Sequence, residues 1–383
     1  MNCDFSNMKS KARKLYAKMW GGTEFCSDDF ITNKNWTGEE TNSSFYINTP
    51  LVVELFKGII PKLAEEIAMK FDIGLEQESD KNLFKEKFKQ ACSGSGQEAL
   101  KITTMHSSSL CALLFFYNVS EDNVLELELG NGEFKKTYVF NQSFFEFQNV
   151  VIKGRQPSNM DVVLVGYEKE DESKQVVLFL ESKFSEYYAE PKAKMDIADS
   201  YLENQYGKVI YNKLQEIGYK IDDSIAPENK FRLLAPVATY MDGIKQMISH
   251  YIGVRNLLSG EVVKKRACEE HKDVVKVTEN DATILLGSII FDDLFEKVED
   301  KKKYYGAYEE AHTKLAKVLN KVSKGVESVA GTDRLTVLEV PLTYSGIFDK
   351  EKIGESEKGF QLDKKVKDYY FGNNKETTPV TPE

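Results

Sequence analysis

Three residues with complementary chemistry sit at the ends of two apolar runs. Asp161 precedes Val162-Val163-Leu164-Val165, and Glu181 and Lys183 follow Val176-Val177-Leu178-Phe179-Leu180. Short runs rich in β-branched residues predict strands with a buried face, and the charged stretch 166–175 between them predicts an exposed connection. Side chains alternate along a strand, so Glu181 and Lys183 share one face while Leu178, Leu180, Ser182 and Phe184 take the other. If the register joins the two ends, Asp161 adds a second carboxylate, and two carboxylates and an ammonium meet at one charged functional site. The plainer alternative is a Glu181–Lys183 pair on the solvent face of an amphipathic hairpin. Charges are seldom built into an apolar run without a partner or a task, because burying them unpaired is expensive.

Composition sets the frame. The chain has 383 residues, 41% hydrophobic and 29% charged, as expected of a globular protein large enough for one sizeable core. No apolar run reaches the ~18–20 residues that span a bilayer, and Met1-Asn2-Cys3-Asp4 does not open a signal peptide, so a cytoplasmic protein without a membrane partner is expected. Five scattered cysteines with no Cys-x-x-Cys predict reduced thiols and no zinc site. The net charge of −10 argues against a general nucleic-acid coat protein but allows a local basic groove.

Pro157…Asp161 followed by Glu181-Ser182-Lys183 at the end of an apolar strand resembles the PD-(D/E)XK nuclease superfamily. Here the Pro lies four residues before the Asp rather than beside it. A second stretch carries the likeness further. Gly96-Gln97-Glu98-Ala99-Leu100, then Met105-His106-Ser107-Ser108-Ser109-Leu110, is similar to a segment of bacterial restriction-type endonucleases in which a Gly-x-Glu helix precedes a His-Ser-Ser-Ser stretch. Several branches of the superfamily also carry a Gln-x-x-x-Tyr pattern on the helix after the Lys strand. Gln246 fits the first position of that pattern, but His250 stands where the Tyr would be, with Tyr251 next.

The resemblance implies an α/β protein with a restriction-endonuclease-like central mixed β-sheet flanked by helices, elaborated at both termini. Residues 1–49 would form a basic N-terminal helix and an irregular extension, 50–360 the nuclease-like domain, and 361–383 a C-terminal tail expected to lack order. Helices are predicted from Pro50 to about Phe71, from Lys81 to Ala91, around 187–202, around 209–217, at 243–254 and at 297–324. Strands are predicted at 124–129, 138–140, 144–152, 283–291 and 335–342, the last at an edge because of Pro341.

It also implies a function: metal-dependent hydrolysis of phosphodiester bonds, with DNA as the expected substrate and restriction or defence as the expected role. Asp161, Glu181, Glu98 and the backbone carbonyl of Ser182 would hold Mg²⁺ or Mn²⁺, which favour hard oxygen ligands. Lys183 would stay charged beside the phosphate or orient water, and Gln246 would join the catalytic set. His106, Ser107, Ser108 and His250 would contact substrate, with Gln246 and His250 on one helix face at i, i+4. The alternative is a catalytically silent module of the same fold that binds nucleic acid or a protein partner. A hydrolase built on His106 and a neighbouring serine ranks third: no Gly-x-Ser-x-Gly elbow is present, and Ser108 or Ser109 reads as a helix N-cap. Gly94 and Gly96 lack the Lys-Ser/Thr of a phosphate-binding P-loop. The sequence leaves open whether the protein works as a homodimer.

Overall fold

The computed structural model describes residues 29–32, 46–49, 59–93, 101–105, 107–152, 157–188, 190–203, 205–224, 226–260, 271–292, 298–324, 332–348 and 360–371. The basic helix expected before residue 20, the helix start at Pro50, Glu98 and His106 lie outside them.

Strands β1 (Ile31–Thr32) and β2 (Tyr46–Ile47) form a small antiparallel ribbon. Helices α1 (Ile59–Lys70), α2 (Glu78–Ala91) and α3 (Ser108–Phe116) follow. Next come β3 (Leu125–Asn131), β4 (Phe134–Asn149), β5 (Ser158–Glu168) and β6 (Asp171–Lys183), an antiparallel meander. The chain then builds a second, three-stranded sheet from β7 (Lys192–Ala198), β8 (Lys220–Asp222) and β9 (Lys230–Thr239), with α4 (Ser200–Glu203) and α5 (Gln205–Leu214) between β7 and β8. Helices α6 (Met241–Ser259) and α7 (Lys272–Glu279) lead back to β10 (Thr283–Ile290), which lies parallel to β6. After α8 (Val298–Lys301) and α9 (Ala307–Lys324), strands β11 (Leu335–Val337) and β12 (Leu342–Thr343) both pair in parallel with β10. Helices α10 (Tyr344–Ile347) and α11 (Lys364–Phe371) complete the described chain.

The main sheet is therefore mixed, in the order β11-β10-β6-β5-β4-β3. Its two faces are both covered, which explains why the strands read as nearly continuous apolar runs. Val162, Leu164, Leu178 and Leu180 face a core with Leu63, Phe84, Leu114 and Tyr370. Val163, Val165, Val177 and Phe179 face a second core with Ile210, Ile248, Ile252 and Leu315. Helix α3 is buried from Leu110 to Phe116 on every side, so its sequence has no polar face. Among the described residues no helix is long and apolar enough to cross a membrane.

Several expectations change in the folded chain. The segment around 187–202, expected as a helix, is mainly strand β7. Pairing with β9 overrides its helical spacing, with Ile197 buried and Lys192 and Lys194 exposed. The connection expected over 166–175 shrinks to Lys169 and Glu170; the strands run on through the charged region, where Lys136 on β4 pairs with Glu168 on β5. The pieces expected at 138–140 and 144–152 are one long strand, β4, shifted in register between Phe140 and Gln142. Residues 364–371, assigned to the tail, form α11. Its Tyr370 and Phe371 rings pack on Phe115 and Phe291, which gives this segment a buried anchor.

Helix α6 lies close against the end of β4 because Gly253 has no side chain. A Cβ there would come within 2.6 Å of the Asn149 Cβ. Gly253→Ala is therefore expected to destabilise the fold by about 1–3 kcal/mol through overpacking. That loss should exceed the ~1 kcal/mol helix-propensity gain of the substitution. The denaturant midpoint measures the balance; an unchanged or raised midpoint would show that α6 does not depend on this close approach.

Candidate active site

The β5–β6 pairing runs to Val162 opposite Leu180 at the open end of the hairpin. One further step sets Asp161 opposite Glu181, on the sheet face covered by α6. The Ser182 N–H donates to Asp161 Oδ2 at 2.6 Å, tying the two strand ends together. Lys183 Nζ donates to Glu181 Oε1 at 2.6 Å, and both residues are only 5% exposed. That exposure rules out the plain reading of a solvated surface pair.

Helix α6 supplies the third side of the site. His250 Nε2 lies 2.7 Å from Glu181 Oε2, and its Nδ1 lies 2.8 Å from Ser158 Oγ. An ionised carboxylate can only accept, so Nε2 donates to Glu181, while Nδ1 pairs with the Ser158 hydroxyl, which can give or take a hydrogen. These side chains line a cavity of about 670 Å³, together with Glu146, Ser108, Ser109, Glu186, Tyr240, Asp242, Lys245 and Gln246 among others.

The predicted site residues fall into three groups. Asp161, Glu181, Lys183, Gln246, His250 and Ser108 meet at this cavity. Ser182 turns its hydroxyl to the opposite face, where it bonds the Tyr344 hydroxyl at 2.8 Å. Its peptide edge stays beside Asp161, so only backbone atoms of Ser182 belong to the site. Ser107, expected at the substrate, is instead the N-cap of α3, accepting from the Leu110 N–H at 3.0 Å, one residue ahead of the cap expected at Ser108 or Ser109. His250, also expected at the substrate, has both ring nitrogens engaged by protein side chains. Glu98 and His106 lie outside the described residues.

Glu146 is the residue that sequence reasoning missed. It sits in β4 with φ of 53°, a left-handed conformation rare for Glu, and is buried at the cavity with Oε1 3.5 Å from Ser109 Oγ. The available signal was a lone carboxylate in the aromatic run Phe144-Phe145-Glu146-Phe147. Ser158, three residues before Asp161, carries no such signal.

The electrostatics follow from crowding. Desolvation first, then the Glu181 carboxylate, push the Asp161 carboxyl well above the usual carboxylate range, with Glu146 adding to the effect while Lys183 and the Ser182 N–H oppose it. For Glu181, burial also disfavours the charge, but Lys183 and His250 outweigh it and hold the group below its ordinary value. Burial works against the Lys183 ammonium too, yet Glu181, Glu186, Tyr240 and Asp161 together hold it well above the usual lysine value. The pair is thus charged, and the nearby Asp161 carries the electrostatic cost.

Among the described residues no group of three or more His, Cys, Asp or Glu side chains is gathered closely enough to hold a metal ion. Carboxylates are among the groups that line the cavity, and Asp161 has no hydrogen bond beyond Ser182 among the described residues. Each Glu181 oxygen accepts one bond and retains a second lone pair. One or two carboxylates completed by water and phosphate oxygens is the usual demand of Mg²⁺, so this donor set fits such an ion. No protein-family model, curated protein or solved structure matches the chain.

The raised Asp161 value has a sign that can be tested. Where the folded group holds a proton that the unfolded group releases, stability falls as pH rises above the ordinary carboxylate value of 3.8 towards the raised folded value. Asp161→Asn keeps an acceptor for Ser182 and removes the charge. It should stabilise the protein at neutral pH, with the gain vanishing below about pH 4. Unfolding midpoints of both proteins across pH 3–8 check this; a gain independent of pH would exclude the ionisation as its cause.

Proposed function

We propose that the chain is a metal-dependent nuclease with a restriction-endonuclease-like core, acting on DNA in restriction or defence. The observation that carries this reading is the convergence of Asp161, Glu181 and Lys183 at one end of an antiparallel hairpin, inside a cavity. The order of elements is compatible with it: helix α3, the four-stranded antiparallel meander β3 to β6, a crossover that carries β7 to β9 and helices α4 to α7, and β10 returning parallel to β6. A mixed sheet flanked by helices is the coarse class that the resemblance implies.

The cavity wall is rich in acid. Glu146, Asp161, Glu181, Glu186 and Asp242 face Lys101, Lys183 and Lys245. A phosphodiester entering alone would meet excess negative charge, so a divalent cation is the natural co-occupant. Asp161 and Glu181 would hold it, with Glu146 as a further carboxylate in the cavity. When bound, it would neutralise phosphate charge and lower the pKa of a coordinated water. Lys183, kept protonated by its carboxylate neighbours, presents an ammonium to the negative charge that develops on the phosphate. Gln246 makes no side-chain hydrogen bond among the described residues and is free to contact a phosphate oxygen or to orient water.

Cleavage of plasmid DNA, single-stranded DNA and RNA in Mg²⁺, Mn²⁺ or EDTA tests the reading. Wild type should cut at least one substrate only with metal, and Lys183→Ala and Asp161→Ala should each slow cutting by about 10²-fold or more. No cutting in any condition, with no calorimetric signal for Mn²⁺, would replace the nuclease by the silent binding module.

A further inference from the structure

We infer that Ser158 and His250 are positioning residues, a hydrogen-bond relay from Ser158 through His250 and Glu181 that fixes the Lys183 ammonium in the cavity. The expected effect on rate rests on the nuclease reading; the geometry stands without it. A lysine carries a flexible four-carbon stem, and a carboxylate held only by its strand neighbour can rotate with it. Here Lys183 takes Oε1 of Glu181 and His250 takes Oε2, so the carboxylate is gripped from both sides. An imidazole can flip, exchanging its nitrogens for carbons. Ser158, 2.8 Å from Nδ1, closes that freedom. The four side chains come from β5, α6 and β6, and all line the same cavity.

Two other histidines show what an ordinary buried histidine does in this fold. His312 and His271 each bond a backbone carbonyl, Leu338 O at 3.0 Å and Phe145 O at 3.1 Å. Neither lines the cavity. His250 instead joins two cavity side chains, one of them the partner of the lysine. Groups that orient a functional carboxylate in this way typically contribute about 10–100-fold to metal affinity or activity.

The test compares wild type with Ser158→Ala, Ser158→Thr and His250→Gln, using single-substrate kinetics, unfolding midpoints and the ¹³C resonance of the Glu181 carboxylate. Ser158→Ala should lower kcat by about tenfold to a hundredfold while KM stays within about twofold. Threonine keeps the hydroxyl and should restore most of the rate. Glutamine can still reach Glu181 but not Ser158, and should resemble Ser158→Ala. The unfolding midpoint should barely move, and the Glu181 signal should shift in Ser158→Ala and return in Ser158→Thr. Full activity in Ser158→Ala would overturn the relay and leave the nuclease reading intact. If wild type itself never cuts, the nuclease reading fails and the carboxylate resonance decides alone: an unmoved signal in Ser158→Ala overturns the relay, and a shifted one supports it.

Discussion

The charges at the end of β6 govern much of this structure. A buried Glu181–Lys183 pair cannot be sustained by one strand, because desolvating both groups costs several kcal/mol each unless other partners satisfy them. The partners come from elsewhere: Ser182 and Asp161 join the two hairpin strands, and His250 descends from α6. Hairpin register and helix placement therefore both converge on this one point.

The topology explains how α6 arrives there. Strands β6 and β10 are parallel, so the chain between them must cross over a face of the sheet. Helix α6 lies on that crossing, above the carboxyl end of β6, and Gly253 lets it settle closely on β4. Strands β7, β8 and β9 lie on the same crossover between β6 and β10. A crevice outside the carboxyl ends of parallel strands is a common place for a ligand site in α/β proteins, and the cavity lies at such an end of β6.

The cavity also shows where the fold departs from its own stability. Asp161 is crowded by like charge, and Glu146 adopts a left-handed backbone conformation that costs of order 1–3 kcal/mol. Neither arrangement is needed to pack the apolar faces of the sheet. Both lie at the cavity, whereas the surrounding strands are apolar and regular. Departures of this kind concentrate where a site needs a particular constellation of groups.

The sequence by itself determined the hairpin and the shared face of Glu181 and Lys183, because these follow from a two-residue period acting over a short stretch; the register that brings Asp161 beside them was decided by the pairing of the two strands. It also marked α3 and the cap region ahead of it, and the helix carrying Gln246 and His250. Strand β7 is not legible locally, because pairing with a distant strand outweighs the helical spacing of its apolar residues. The bond between His250 and Glu181 joins residues 69 apart, and that between Ser158 and His250 joins residues 92 apart. No periodicity connects positions so distant. Their contact was decided by the crossover, by the closeness Gly253 allows and by the need to pair buried charges, which are properties of the packed molecule.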